Sequence, residues 1–451
     1  VLFLQRQPQS RPVTMCKQAS PRLLPASRKA PPASGRVEIQ VRDRIYDITD
    51  FVKRHPGGSV IAYYANQDAT DAYVAFHQRS PRADKILKSL PSRPADKPME
   101  KSERAQQMLA DYRKLRSDLV AEGWFKPDLA HVAFRIVEII SMFVVSFVLL
   151  KAGTWWSVLL SMFIGGLAGG RSGWIQHEGG HHSLTGIIPV DKAIQTIFIS
   201  FGLITYGWKW NHMHNKHHAT PQKEDHDLDV DTLPFVAFYK DALERGRRAA
   251  MTPTWWIRYQ HLTFLPLTSV LNVFFWHFYL HPKEYILRKG RRDPVTLLFV
   301  ILRYVAHFYS CPSDWSILMC LSTFYMTMFV SGVYLFGNFS LNHTHLPTTR
   351  ADEHKNWVEY GIDYTINVDP NPFVNWWMGY LNCQVEHHLF PSMPQYRQPQ
   401  LVPRIRQFCE DHGLTYQSLD YITAVKATLG NLKNVAEYAV EREMDGSKKA
   451  K

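Results

Sequence analysis

The sequence predicts a mostly α-helical membrane protein. It has four transmembrane helices, a helical cap holding a histidine-rich two-metal site, and a small α+β domain near the N-terminus. Three observations predict this. Long apolar segments alternate with polar ones, although the chain is only 45% hydrophobic. Three dense histidine clusters lie outside the apolar segments: His177-Glu178-Gly179-Gly180-His181-His182, His214-Asn215-Lys216-His217-His218 and Gln384-Val385-Glu386-His387-His388. Upstream, residues 37–90 carry short alternating runs followed by His55-Pro56-Gly57-Gly58.

The histidine spacing is the strongest signal. On a helix, positions i, i+3 and i+4 share one face. His214, His217 and His218 therefore aim at one point, His177 and His181 supply two more imidazoles, and His387 and His388 another two. Neutral imidazole is a ligand for borderline metals. Seven imidazoles exceed what one ion holds, so two ions are expected. Histidine makes up 21 of 451 residues, and at that frequency one H-x-x-H-H match arises by chance roughly 0.05 times per chain.

The formal net charge of +12 suits nucleic acid or an anionic membrane surface. No nucleic-acid-binding signature is present, which leaves the membrane. The abundant aromatics (13 Trp, 21 Tyr, 25 Phe) fit interfacial belts. Five cysteines without a C-x-x-C pair point to reduced thiols and a reducing compartment.

Taken in order, residues 1–36 are basic, acid-free and proline-punctuated, and read as a disordered tail. A transit peptide is the alternative. Residues 37–90 form the small domain: Val37–Val41 and Ile45–Ile48 alternate like strands. His55 and His77 can face each other across an apolar pocket and fill both axial positions of a haem iron, a pattern for electron transfer. Residues 91–103, with Pro91, Pro94 and Pro98, read as an extended linker. Gln106–Glu122 has helical spacing suited to a membrane or cap surface. Residues 104–434 form the membrane domain and 435–451 a C-terminal tail. Val132–Leu150 and Trp155–Gly170 are expected to cross as a hairpin through Lys151-Ala152-Gly153-Thr154, with Arg135 and Glu138 snorkelling at one end. Val295–Ser310 and Trp315–Phe336 form a second crossing hairpin, and Trp255–Leu280 lies along the interface. The crossing number must be even if all three clusters serve one centre. Arg303 and His307 make Val295–Ser310 the weakest span, with Trp255–Leu280 as its replacement. Positive loops stay cytosolic, so both termini and every histidine cluster are expected there.

Tyr46-Asp47-Ile48-Thr49-Asp50-Phe51 through His55-Pro56-Gly57-Gly58, then Asp68-Ala69-Thr70-Asp71-Ala72 and Phe76-His77, resemble a cytochrome b5 domain. The resemblance implies haem b on His55 and His77. An electron-transfer haem beside a two-metal membrane site suits O2-dependent oxidation of an unactivated C–H bond in an acyl chain. The three clusters, with Leu389-Phe390-Pro391 after the third, resemble the histidine boxes of front-end fatty acyl desaturases, in which a glutamine, here Gln384, replaces the first histidine of box three. Flanking phrases, Ser183-Leu184-Thr185-Gly186 among them, look most like microalgal delta-6 and thraustochytrid delta-5 enzymes.

That resemblance implies two non-haem irons on His177, His181, His214, His217, His218, His343, His387 and His388, with Gln384 tuning the site. It further implies O2 as oxidant and NADH supplying electrons through cytochrome b5 reductase. The substrate is a fatty acyl chain on coenzyme A or phospholipid, and the location the endoplasmic-reticulum membrane, with a plastid membrane as alternative. Lys448-Lys449-Ala450-Lys451 resembles a dilysine retrieval signal. His182, His212 and His226 stand as ligands or hydrogen-bonding neighbours, and Asp227, Asp229 and Asp231 as groups orienting imidazoles. Two other readings stay open: a sphingolipid-base desaturase or lipid hydroxylase of the same superfamily, and a metal-binding membrane transporter or sensor.

Overall fold

The structure is a computed structural model that describes residues 35–449 except 101, 245–248, 250 and 288–292. Residues 1–34 of the expected disordered tail and residues 288–292 of the positive loop lie outside the described residues, as do the side chains of the dilysine-like end.

The N-terminal part of the described chain is built on a three-stranded antiparallel sheet, β1 (Glu38–Val41), β2 (Arg44–Asp47) and β3 (Ser92–Pro94), in the order β1-β2-β3. The third strand falls in the stretch read as a linker. That stretch is extended, but it pairs Arg44 with Pro94 and Tyr46 with Ser92. Two helices, α1 (Thr70–His77) and α2 (Pro81–Ser89), stand against the sheet. Ser80 caps α2 through the Ala83 N–H, and Pro81 occupies its first turn.

Helix α3 (Glu103–Ala121) lies on the cap, the second of the two surfaces that its spacing suits. Its Met108, Leu109, Tyr112 and Leu119 are buried in one core with Ile39 and Ile48 of the small domain and Val385, Leu389 and Phe390 around the third histidine cluster. Tyr112 donates to the Leu389 carbonyl at 2.7 Å, and Arg113 pairs with Asp68 and Asp71 at 2.9 and 2.7 Å. Small domain and histidine cap thus share an apolar core.

The first membrane hairpin forms as expected. Helix α4 (Leu129–Ala152) starts at Asp128, whose carboxylate accepts from the Ala130 and His131 N–H groups, and ends at Gly153 in the left-handed region. Thr154 then caps α5 (Trp155–Gly180), which ends inside the first histidine cluster. Helix α6 (Ile188–Leu203) packs back along α5, and after a 103° bend α7 (Gly207–Ala219) carries the second cluster. Both ends of this bent pair adjoin histidine clusters, so we read it as re-entrant rather than crossing.

Among the described residues four helices are long and apolar enough to cross a membrane: α4, α5, α8 (Gln260–Leu287) and α9 (Ile317–Asn342). The third differs from the sequence expectation. Pro294–Ser310 has only 17 residues, short of the ~20 needed, whereas α8 has 28. At its start Gln260 is bound to Ala237 and Leu432 on the cap side. At the other end of this stretch, Cys311 packs with Leu150 where α4 ends. Together Gln260–Leu287 and Pro294–Ser310 carry the chain from one side to the other, and the even crossing number holds. Arg303 and His307 face inward. The Arg303 guanidinium lies 4.8 Å from the Phe143 ring and 5.4 Å from that of Phe147. His307 Nε2 is 3.0 Å from the Cys320 carbonyl.

Helix α9 approaches α5 where α5 is glycine-rich. A Cβ added at Gly166 would lie 2.5 Å from Val330, and one at Gly169 2.8 Å from Ser331. This is small-residue packing of helices within lipid. The chain then returns through the six-residue helix α10 (Gln384–Leu389), and the last helix, α11 (Tyr421–Lys449), covers the cap. It runs through the stretch read as a C-terminal tail, with Val435, Ala436 and Ala439 buried.

Candidate metal centre

Three elements bring the clusters together. The end of α5 presents His177 and His181, α7 presents His214, His217 and His218, and α10 presents His387 and His388. The short α10 is held by its surroundings rather than by its own length. The Asn367 side chain accepts from the Val385 N–H at 2.9 Å and donates to Glu386 at 2.7 Å, and Tyr416 donates to Glu386 at 2.8 Å.

The imidazoles form two adjoining groups. In the first, ligand atoms of His177, His181, His214, His218 and His387 lie within 4.8 Å of one another; in the second, those of His217, His343 and His388 do so. These are the eight histidines expected as ligands from the sequence. His214 Nε2 lies 3.0 Å from Nε2 of His181 and of His218, and His218 Nε2 lies 3.0 Å from His387 Nε2. Nitrogens at right angles around a metal about 2.1 Å away stand about 3 Å apart, so this spacing suits a shared ion. Burial pushes His181 and His343 down to about 3 and holds His387 and His388 well below the ordinary histidine range. All four are therefore neutral, as metal ligation requires. Gln384 is buried and lines the same cavity as His343.

Several imidazoles are oriented from behind. His217 Nδ1 is 2.9 Å from Asp227 Oδ2, leaving Nε2 for a metal. Burial lowers His217, but the carboxylates of Asp227 and Asp229 outweigh that and raise it to about 9, so a metal bound at Nε2 would displace a proton there. Asp227 is itself fixed by the Gln222 and Asp229 N–H groups. His343 Nδ1 faces the Tyr364 carbonyl at 3.2 Å, and the Gln395 carboxamide lies 2.6 Å from His177 Nδ1. Sequence reasoning missed Gln395 because it lies 218 positions from its partner.

Arg135 and Glu138 do not snorkel. Arg135 pairs with Glu178, inside the first cluster, at 2.5 Å, and Glu138 pairs with Arg171 at 2.6 Å. Glu178 also accepts the Gln395 N–H at 2.8 Å. A lone Glu178 carboxylate in this apolar setting would be unpaired and buried. Arg135→Met is therefore expected to cost about 3–5 kcal/mol, and Arg135→Met/Glu178→Gln less. Thermal unfolding in detergent checks this, and a single variant as stable as wild type would refute it.

A cavity opens on the histidines and extends between α5, α8 and α9. His177, His214, His217, His343 and Gln384 line its polar end, and Trp174, Leu203, Trp276, Leu335 and Phe336 its apolar end. Polar at the histidines and apolar away from them, the cavity suits a largely apolar ligand.

In the small domain the rings of His55 and His77 lie edge to face, with centroids 6.2 Å apart. His55 Nδ1 is 2.9 Å from the Gly58 carbonyl and His77 Nδ1 3.0 Å from that of Tyr73. Both bonds fix the tautomer that leaves Nε2 free. Two imidazoles bound through Nε2 at about 2 Å on opposite sides of one metal would place their centroids about 6 Å apart.

His182, His212 and His226 belong to neither metal group. His182 lines the cavity between His55 and His77. His212 packs on Gly58, and His226 stacks on Tyr63 with centroids 4.1 Å apart. All three face the small domain. Of the acidic trio, Asp227 and Asp229 lie beside His217, and Asp231 is in neither group.

Residues 153–420 match the fatty acid desaturase family, and residues 32–114 match the cytochrome b5-like haem/steroid-binding domain. The chain is 43% identical to an acyl-lipid (8-3)-desaturase of Rebecca salina, over 92% of this chain and 95% of the relative. It is 37% identical to an acyl-lipid (8-3)-desaturase of a Thraustochytrium species, over 89% and 92%. Identity to the delta(6)-fatty-acid desaturase fat-3 of Caenorhabditis elegans is 27%, over 87% and 95%. A transporter or sensor is thereby set aside: the paired histidine groups at the mouth of an apolar cavity, the two imidazoles of the small domain and these matches make the chain a member of the fatty acid desaturase family, an oxidoreductase acting on acyl lipids with a cytochrome b5-like domain on its N-terminal side.

Proposed function

We propose that the protein is a front-end acyl desaturase that inserts a cis double bond between the carboxyl end and an existing double bond, at the delta-5 or delta-6 position. The observation that carries this reading is the convergence of eight histidines into two adjoining groups, four of which (His177, His214, His217 and His343) line the polar end of one apolar cavity together with Gln384. His177, His181, His214, His217, His218, His343, His387 and His388 would hold two irons, and His55 and His77 haem b. The imidazole-rich donor set fits non-haem iron, and the two imidazoles of the small domain, 6.2 Å apart between centroids with Nδ1 engaged on the backbone, fit haem ligation.

Iron bound here supplies O2 activation, and haem supplies electrons one at a time. Overall, two hydrogens leave adjacent acyl carbons, and O2 becomes two waters with two further electrons and two protons. The electrons come from NADH through cytochrome b5 reductase. The apolar residues around the cavity seat the chain and disfavour water beside the reacting carbons. Asp227 and Gln395 hold His217 and His177 in place. We place the enzyme in the endoplasmic-reticulum membrane with the cap and both termini cytosolic, a placement that the scattered cysteines support. The substrate is an acyl chain carried on coenzyme A or phospholipid.

Expression in yeast fed defined C18 and C20 polyunsaturated acids tests this. Mass spectrometry should locate a new cis bond on the carboxyl side of an existing one. A hydroxylated product, or unsaturation only in sphingoid bases, would contradict the reading.

A further inference from the structure

The cavity between His55 and His77 is not closed by the small domain alone. On one side it is lined by Val60, Ala75 and Phe76; on the other by the box-one turn, Gly180 to His182, and by Asn215 of α7. Independent contacts hold this arrangement. Gly58 has φ +82, and a Cβ there would lie 2.6 Å from the His212 ring, so this glycine is what lets α7 come so close. Tyr64 donates to the Ala219 carbonyl at 2.9 Å, and Tyr63 stacks on His226. Arg79, just past His77, donates to the Phe125 carbonyl at 2.7 Å. The His182 backbone is left-handed at φ 58, and its Nδ1 lies 3.1 Å from the Gly179 carbonyl, a turn that presents the ring to the cavity.

We infer that the haem site is composite: His182 and Asn215 of the desaturase domain complete its wall, so that the haem meets the iron ligand His181 across a shared boundary. This rests on the reading of His55 and His77 as haem ligands. Two consequences follow from charge and contact. A carboxylate placed on this wall favours the ferric over the ferrous haem, since the ferric form carries one more positive charge. A neutral replacement of similar size does not.

The test uses the full-length protein in detergent, with the haem titrated in the presence of redox mediators. At a fixed ambient potential, Asn215→Asp should lower the ratio of reduced to oxidised haem at least threefold, which is about 28 mV for a one-electron couple. Asn215→Leu should leave the ratio near the wild-type value. His182→Glu, on a different element, repeats the measurement and covers failure of either variant to fold. Wild-type ratios in both acidic variants, at wild-type haem content, would overturn the composite site. Absence of a six-coordinate haem spectrum from the wild type would instead overturn the haem reading itself, so the two failures are distinguishable.

Discussion

His387→Ala is expected to abolish double-bond insertion while the reduced-haem spectrum stays that of the wild type. His387 is fully buried, with its Nε2 3.0 Å from that of His218 and its ring 4.6 Å from His177 and 4.9 Å from His181. It is the one imidazole in the group of five that comes from the third cluster. Without it, the site contributed by α5 and α7 has a gap on the side of α10. Loss of a group that merely orients a ligand typically costs 10–100-fold, so loss of a ligand should cost at least about 100-fold in turnover. Bound iron should fall in parallel. The haem cavity is lined by other residues, so its spectrum should not change. Product formation near the wild-type rate would remove His387 from the centre, and loss of the haem signal would show that His387 also supports the haem site.

His77→Ala is the reciprocal case. Here iron should remain at the wild-type level while haem falls to background and turnover is lost. His77 closes α1, and its orientation is set by the Tyr73 carbonyl one turn back. Alanine removes one of the two imidazoles and leaves His55 alone, so the bis-imidazole ligation suited to electron transfer cannot form. Haem extraction and metal analysis of one purified sample read both quantities. A six-coordinate haem retained in this variant would assign the second ligand elsewhere.

The ligand set was legible because it depends on local spacing. Two turns of α7 place His214, His217 and His218 on one side, and the same rule pairs His177 with His181. His343 was reached through family resemblance alone. What spacing cannot show is the division into five and three, which depends on how α5, α7 and α10 meet. The groups behind the imidazoles were harder still. Asp227 lies ten residues from His217 and was within reach of sequence reasoning, but Gln395 and the Arg135–Glu178 pair rest on tertiary contacts across 218 and 43 positions. Strand β3 went unseen because its partner lies 48 residues upstream and its prolines suggest a linker. The third crossing was assigned to Val295–Ser310 because the positive loop at 283–292 was kept cytosolic, whereas by length the stated replacement is the better candidate, with 28 residues against 17. The inward-facing Arg303 and His307 explain how a short polar-bearing helix still packs within the bundle.

The central claim is that imidazoles from three distant parts of the chain surround a pair of irons. Anomalous diffraction at the iron edge, on crystals of the full-length enzyme, tests it most directly. The account predicts two peaks beyond the haem, one among His177, His181, His214, His218 and His387 and the other among His217, His343 and His388. A single peak there, or none despite iron in the sample, would contradict it.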